Sequence, residues 1–533
     1  MNPTDRRDRI VSTLPAAVLL AALAAGPHLA AQEAPAGRFG ARGAVLTLTA
    51  DGRYSFENQG LTMVAGTLRV TGTGLELTDD GGTGICRDGT GRYTWRVIGD
   101  TLRFALIEDP CAGRRNAIPS AAWVRIRDAL GLTHATVIDG TGSPPRPGQT
   151  LILRNGRIVA IYPDGAEPLP ADAIERDVGG GFVLPGLIDA HVHLATSPSG
   201  VDRRDRVERR LRNALLGGVV AVRDMAGDGR ALADLARAAR AGDIAASEIR
   251  YAAVMAGPAF FDDPRVLSSS AGLTPGTAPW ARAITARTDL RQVVAEARGT
   301  GATAIKMYAE LDGRLASRIA AEAHRQGLRA WSHLVLAPAR PSQVVSSGVD
   351  VVSHALFATW EVADLPTYGG RTQVDLSIPA DHPAIHRLFA LMRERNVIFD
   401  PTMFVYRADS AAADTSVAKR REARAAEFVR AAHAAGVRVA AGTDGLGGDA
   451  DGAVPNLHTE LALLVERAGF TPMEAIVAGT RTSAEAAGLD ATHGTIAVGK
   501  AADLLVLRAD PLANIRNTRQ IGFVVRRGRI IER

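Results

Sequence analysis

Twelve histidines are scattered over the 533 residues, and those that end a β-prone run are placed for chemistry. His191 and His193 stand two apart in Ile188-Asp189-Ala190-His191-Val192-His193. On a strand, a period of two puts both imidazoles on one face. His333 closes Ala330-Trp331-Ser332-His333, and His354 closes Val351-Val352-Ser353-His354. Asp444 ends Ala440-Ala441-Gly442-Thr443-Asp444. Four imidazoles and a carboxylate converging from strand ends suit Zn2+ or a similar first-row divalent ion. The bland alternative, five core residues sharing one mouth without purpose, conflicts with the rule that buried polar groups need partners.

Lys306 adds to the set. The chain has 62 Lys and Arg together, of which only Lys306, Lys419 and Lys500 are lysines. Lys306 sits in the apolar run Ala304-Ile305-Lys306-Met307-Tyr308. Burial there lowers its pKa and leaves a neutral amine. Such an amine can add CO2 to give an anionic carbamate able to bridge two metals, which a guanidinium cannot do. The alternative is an unmodified lysine paired to a carboxylate. Lys419 lies in a charged run, and Lys500 has no metal-ligand partners nearby in sequence.

Positioning these side chains requires strands at regular intervals. Short apolar runs at Leu187–Leu194, Val219–Met225, Arg250–Met255, Ala304–Tyr308, Arg329–Leu334, Asp350–His354, Val397–Thr402 and Arg438–Asp444 alternate with alanine-rich helical patterns. Eight such units over 184–487 predict an α/β fold, a (β/α)8 TIM barrel whose active site lies at the carboxyl ends of the strands. Residues 131–183 and 488–533 are β-rich, with Asn155-Gly156 and Arg527-Gly528 placed as hairpin turns. They predict one small β-sandwich built from both flanks. Residues 38–127 alternate short β-prone runs with Gly/Asp turns and predict an extra all-β module, with a lipocalin-like rhythm.

The run Leu184-Pro185-Gly186-Leu187-Ile188-Asp189-Ala190-His191-Val192-His193, followed in order by Lys306, His333, His354 and Asp444, resembles the amidohydrolase superfamily. The tail Gly494-Thr495-Ile496-Ala497-Val498-Gly499-Lys500-Ala501-Ala502-Asp503 resembles it too. Within that superfamily the chain is most similar to the imidazolonepropionase-related branch that includes Xaa-Pro dipeptidases. Gly217-Gly218-Val219-Val220-Ala221-Val222-Arg223-Asp224 and Leu457-His458-Thr459-Glu460-Leu461 fit that branch. Where relatives carry Glu-His-Gly on the sixth strand, this chain has Ser353-His354-Ala355.

The resemblance implies two divalent ions, zinc in the first instance, and a carbamylated Lys306. His191, His193, Lys306 and Asp444 would hold one ion, and Lys306, His333 and His354 the second. A hydroxide bridging the ions would attack a carbonyl, with Asp444 as general base and then acid. Tyr308, two residues from Lys306 and so on the same strand face, is a candidate for the oxyanion or a substrate carboxylate, with simple packing the equal alternative, and His458 is a candidate for support of the site. The expected reaction is hydrolysis of C–N amide bonds in small peptides or N-acyl amino acids. Cyclic-amide, lactone or ester hydrolysis is the alternative on the same site, and a non-catalytic binding protein on a hydrolase scaffold is the second.

Composition limits the partners. With 46% hydrophobic and 22% charged residues the chain is ordinary globular protein. A net charge of +5 with interleaved acids and only 5% aromatic residues gives no nucleic-acid interface. A small molecule or short peptide is the expected partner, and nothing in the sequence argues against a homo-oligomer. The first 31 residues have the charged start, apolar stretch and small-residue end of a signal peptide. Export to the periplasm or medium is therefore expected, with no integral membrane segment after its removal. In that compartment Cys86 and Cys111 are expected to pair, closing a loop worth about 3.5 kcal/mol by chain entropy.

Overall fold

Tyr93 and Trp95 are buried between exposed Arg92, Thr94 and Arg96, the alternation of a strand with one face on a core. The same rhythm recurs along the first part of the computed structural model, which describes residues 35–531 apart from 72–73, 85, 87–88, 366–373 and 409–414. The proposed signal peptide lies outside the described residues. Residues up to 127 and from 128 onward form two compact units.

In the first unit, eight antiparallel strands from Gly37–Ala41 to Trp123–Arg125 pair in chain order. Phe39 pairs with Arg125 and Gly40 with Val124, which closes the sheet into a barrel. Phe39, Leu46, Leu77, Tyr93, Leu102 and Trp123 fill its interior. The helix Ala112–Ala117 carries Arg114 into a buried cluster with Asp79 and Asp109. A disulfide joins Cys86 and Cys111, their Cα atoms 5.7 Å apart. Each half-cystine is tied to the cluster: Cys86 N–H donates to Asp79 at 2.9 Å and Cys111 N–H to Asp109 at 2.7 Å.

In the second unit, the two flanks of the chain share one eight-stranded sheet. Phe182–Pro185 runs antiparallel to Leu504–Leu507, so the entry and exit of the middle region are hydrogen-bonded to each other. Asn155 and Gly156 both have positive φ (51° and 74°), as do Arg527 and Gly528 (52° and 75°). This is the geometry of a two-residue hairpin turn, which a glycine at the second position permits at little cost.

Between the flanks, seven strands follow one another in a parallel sheet: Leu187–Val192, Val219–Asp224, Glu248–Ala256, Ala304–Met307, Arg329–His333, Val351–Ser353 and Ile398–Asp400. The first two are buried at every residue, because such a sheet is covered on both faces and needs no polar alternation. Aspartates start the intervening helices. Asp228, Asp289 and Asp312 accept the N–H groups of Arg230, Arg291 and Leu315 at 2.7–3.0 Å, satisfying donors that the helix itself leaves open.

The predicted eighth strand, Arg438–Asp444, is not a regular strand. It meets the seventh through one isolated parallel bridge, Phe399 to Val439. It meets the first through Ala190 N–H to Ala441 (2.9 Å) and Asp444 N–H to His191 (2.8 Å). The parallel sheet is thereby nearly closed. A Cβ on Gly442 would lie 2.7 Å from that of His191 and would also strike Asp400, so glycine is needed for this close approach.

Candidate metal centre

His191 projects from the first parallel strand, and its main-chain N–H is held by Asp189 at 3.1 Å. Asp189 also accepts from the Thr443 N–H (3.0 Å) and hydroxyl (2.7 Å). This buried carboxylate therefore ties the first strand to the segment that presents Asp444. His354 and Asp444 both lie just past regular pairing, with φ of 81° and 55°. Leaving the extended region at these points turns their side chains toward the shared centre, and it explains why the regular strands stop short of the predicted ends.

The structure brings the predicted ligands together. One ligand atom each from His191, His193 and Asp444 lies within 4.8 Å of the others. Asp444 Oδ1 is 3.1 Å from His193 Nε2 and 3.5 Å from His191 Nε2. The His191 and His354 ring centroids are 5.0 Å apart, those of His354 and His333 4.9 Å, and those of His333 and Tyr308 4.1 Å.

All four imidazoles use the same nitrogen to hold themselves. Nδ1 of His191 meets Asp400 at 2.7 Å, and that of His193 meets the Ala226 carbonyl at 3.3 Å. Nδ1 of His333 meets the Tyr308 carbonyl and that of His354 the Thr402 hydroxyl, both at 2.9 Å. Nε2 is in every case the nitrogen left for a ligand, the arrangement found where histidine binds metal. Burial keeps His191, His333 and His354 neutral, His354 pushed down to about 3. Burial acts the same way on His193, but its hydrogen bond with Asp444 outweighs that and raises it. Asp444 is held far below the usual carboxylate range because the neighbouring imidazoles outweigh the cost of burial.

Lys306 is 0% exposed and its Nζ has no hydrogen-bond partner. Burial first, and the Arg223 charge second, drive its pKa well below that of an ordinary lysine. A neutral amine without a partner at this depth is what a carbamate-forming lysine requires, and the donor set as a whole fits divalent metal. Tyr308 and the Asp444, His193 and His354 side chains line a cavity of about 330 Å3.

His458 is not brought to this cavity. Its Nε2 meets the Gly217 carbonyl at 2.9 Å and its Nδ1 the Thr518 hydroxyl at 3.0 Å, so it fastens its helix to the flanking elements. Glu460, two residues on, is also buried and accepts the N–H groups of Met403 (3.1 Å) and Phe404 (2.7 Å). Those bonds hold the turn that begins at Thr402, the partner of His354. Asp400 is a second residue the sequence reading passed over. It ends the seventh strand and accepts from Arg223 Nη2 (2.8 Å) and Ser353 (3.0 Å) as well as meeting His191. Ser353 thus serves this carboxylate. The available signal was position: Asp400 closes its apolar run as the ligands close theirs.

Residues 182–531 match the amidohydrolase family. A protein assigned as a prolidase from Bifidobacterium longum has a similar structure, with 25% identity over 76% of this chain and 95% of that one and a TM-score of 0.58. A Xaa-Pro dipeptidase with methionine bound in its active site is 19% identical over 76% and 100% of the two chains, with a TM-score of 0.59. The imidazolonepropionase of Paracoccus denitrificans (strain Pd 1222) is 45% identical over 65 residues, which span 12% of this chain and only 16% of that relative. With its ligand cluster at the ends of parallel strands and its matched span of 182–531, the chain belongs to the amidohydrolase family, in the branch with imidazolonepropionase and prolidase-like proteins.

Proposed function

We propose that this chain is an exported metal-dependent hydrolase of the (β/α)8 barrel type that cleaves C–N amide bonds in small peptides or N-acyl amino acids. The observation that carries this reading is the common orientation of the four imidazoles, each anchored through Nδ1, around Asp444 and the neutral Lys306 amine. His191, His193, Asp444 and a carbamate on Lys306 would hold one ion. The carbamate, His333 and His354 would hold the other, with zinc suited to this donor set. Divalent ions there supply Lewis acidity and lower the pKa of water.

The chain's own residues do the rest. Asp444, ionised at the cavity wall, takes a proton from the attacking water and returns it to the departing nitrogen. The Tyr308 hydroxyl, raised to about 12 chiefly by burial, stays protonated and donates to the oxyanion or to a substrate carboxylate. Arg223 and Asp400 keep His191 fixed while charge moves. The similarity to a protein assigned as a prolidase supports a peptide or N-acyl amino acid as substrate. Export is supported by the pattern of the first 31 residues and by the Cys86–Cys111 disulfide, since such bonds persist in oxidising compartments.

The test is a screen of dipeptides, N-acyl amino acids, lactones and esters with the purified protein. Turnover of amides that is lost on chelation and regained with Zn2+ is the expected result. Turnover confined to lactones or esters would move the assignment to the alternative reaction, and none with any class would leave a binding protein.

A further inference from the structure

On the barrel of the first unit, the adjacent strands Gly91–Ile98 and Thr101–Glu108 turn alternate residues outward. Tyr93, Trp95, Leu102 and Phe104 point inward and fill the interior. These strands therefore meet a partner through Arg92, Thr94, Arg96 and Ile98 on one and Arg103, Ala105 and Ile107 on the other. Arg92 faces Glu108 across the pair, and their side chains meet at 2.7 Å. Further along the same two strands, Arg96 faces Arg103. Like charges directly opposite each other on one sheet face are destabilising.

The acids around this pair are already taken. Arg92 holds Glu76 (3.2 Å) as well as Glu108, and Arg127 holds Asp100 at 2.7 Å. Among the described residues neither Arg96 nor Arg103 has an acidic partner. Apolar side chains flank the two cations. Ile98 and Val124, on the strands either side, both stand opposite Thr101. Together with Ile107 they are more than half exposed, at 59%, 51% and 58%. Two unneutralised guanidiniums among exposed aliphatic side chains suit a partner that carries phosphate charge over an apolar layer.

We infer that this face of the barrel docks on an anionic lipid bilayer, with Arg96 and Arg103 on headgroup phosphates and Ile98, Val124 and Ile107 at the acyl boundary. A guanidinium fork holds two phosphate oxygens at once, and the phosphates relieve the repulsion that the free protein carries across the strands. A soluble polyanion would meet the charges but leave the three aliphatic side chains in water. The surface lies on the first unit alone and uses no residue of the metal centre, so it stands apart from the hydrolase reading.

The test is sedimentation of the full chain with vesicles of phosphatidylglycerol and phosphatidylcholine in equal parts, and with vesicles of phosphatidylcholine alone. In about 0.1 M salt the anionic vesicles are expected to bind about tenfold or more tighter, and the difference should shrink as salt rises. Arg96→Gln with Arg103→Gln should weaken that binding about 10- to 30-fold, the worth of two basic residues at an anionic surface. Parent and variants share the first 31 residues, so the apolar stretch there contributes equally to both. Ile98→Ser with Val124→Ser should also weaken vesicle binding, because apolar burial adds to charge at a bilayer. Arg103→Glu sets an opposite charge against Arg96, so it should raise the urea midpoint while losing the vesicles, which separates loss of docking from loss of fold. No preference for anionic vesicles, undiminished binding in the double arginine variant, or loss only in variants whose urea midpoint falls would overturn the proposal. Binding unchanged by the two serine substitutions would overturn it too, in favour of a soluble polyanion.

Discussion

Nδ1 of His191 lies 2.7 Å from Asp400 Oδ2, across 209 residues of chain, with both side chains sealed from solvent. The same oxygen accepts from Arg223 and Ser353, and the Arg223 guanidinium is stacked 4.8 Å from the centre of the Trp331 ring. A carboxylate in this place fixes the Nδ1–H tautomer of His191 and points the Nε2 lone pair inward. Asp400→Asn should therefore lower zinc affinity about 10- to 100-fold, as measured by competition with a chromogenic chelator. An unchanged affinity would show that the contact serves only packing.

Thr402 should act on the other side of the centre. Its hydroxyl meets His354 Nδ1, and its left-handed backbone (φ 49°) is held by the turn that Glu460 pins. Thr402→Val keeps the shape and removes the hydroxyl. We expect loss of one ion's affinity by about tenfold, at the low end for such outer partners, with the first ion unaffected. Two-site zinc titration separates the cases, since equal loss at both ions would point to general disturbance.

The convergence of the four histidines and Asp444 was legible in the sequence because each lies at or near the end of an apolar run, and strand ends on one side of a parallel sheet share a mouth. The supporting residues were not. Asp400, in Val397-Ile398-Phe399-Asp400-Pro401, reads like any polar residue closing a strand. Nothing local shows that Arg223 and Ser353, on two other strands, converge on it. His458 and Glu460 show the limit differently. Two positions apart on a helix are about 200° apart around its axis, so one meets Gly217 and Thr518 and the other the turn at Met403 and Phe404. The motif Leu457-His458-Thr459-Glu460-Leu461 does not say which. The eighth segment was placed correctly but misread as regular, because His191 and Asp400 crowd it at Gly442.

The barrel of the first unit depends on charge that is buried. Arg114 donates to Asp109 through Nε and Nη2, both at 2.8 Å, and also to Asp79. Removing the cation leaves two carboxylates without it, so Arg114→Met should cost about 3–5 kcal/mol, measured by urea unfolding at pH 7. Burial raises Asp109, but hydrogen bonds from Arg114, Tyr93 and the Cys111 N–H outweigh it and hold the pKa below the usual value. A depressed folded-state pKa gives stability that is present above the ordinary carboxylate pKa of about 4 and lost as pH falls through the folded value. The stability gap between the unaltered protein and Asp109→Asn should accordingly narrow in acid. A gap independent of pH between 7 and 3 would contradict this.

The most direct test of the central claim is the zinc content of the purified protein, by elemental analysis, beside that of Lys306→Ala. Two ions per chain, with a marked fall in the variant, is the result expected if a carbamate on Lys306 bridges the centre. One tightly held ion in both proteins, or no metal after reconstitution, would contradict it.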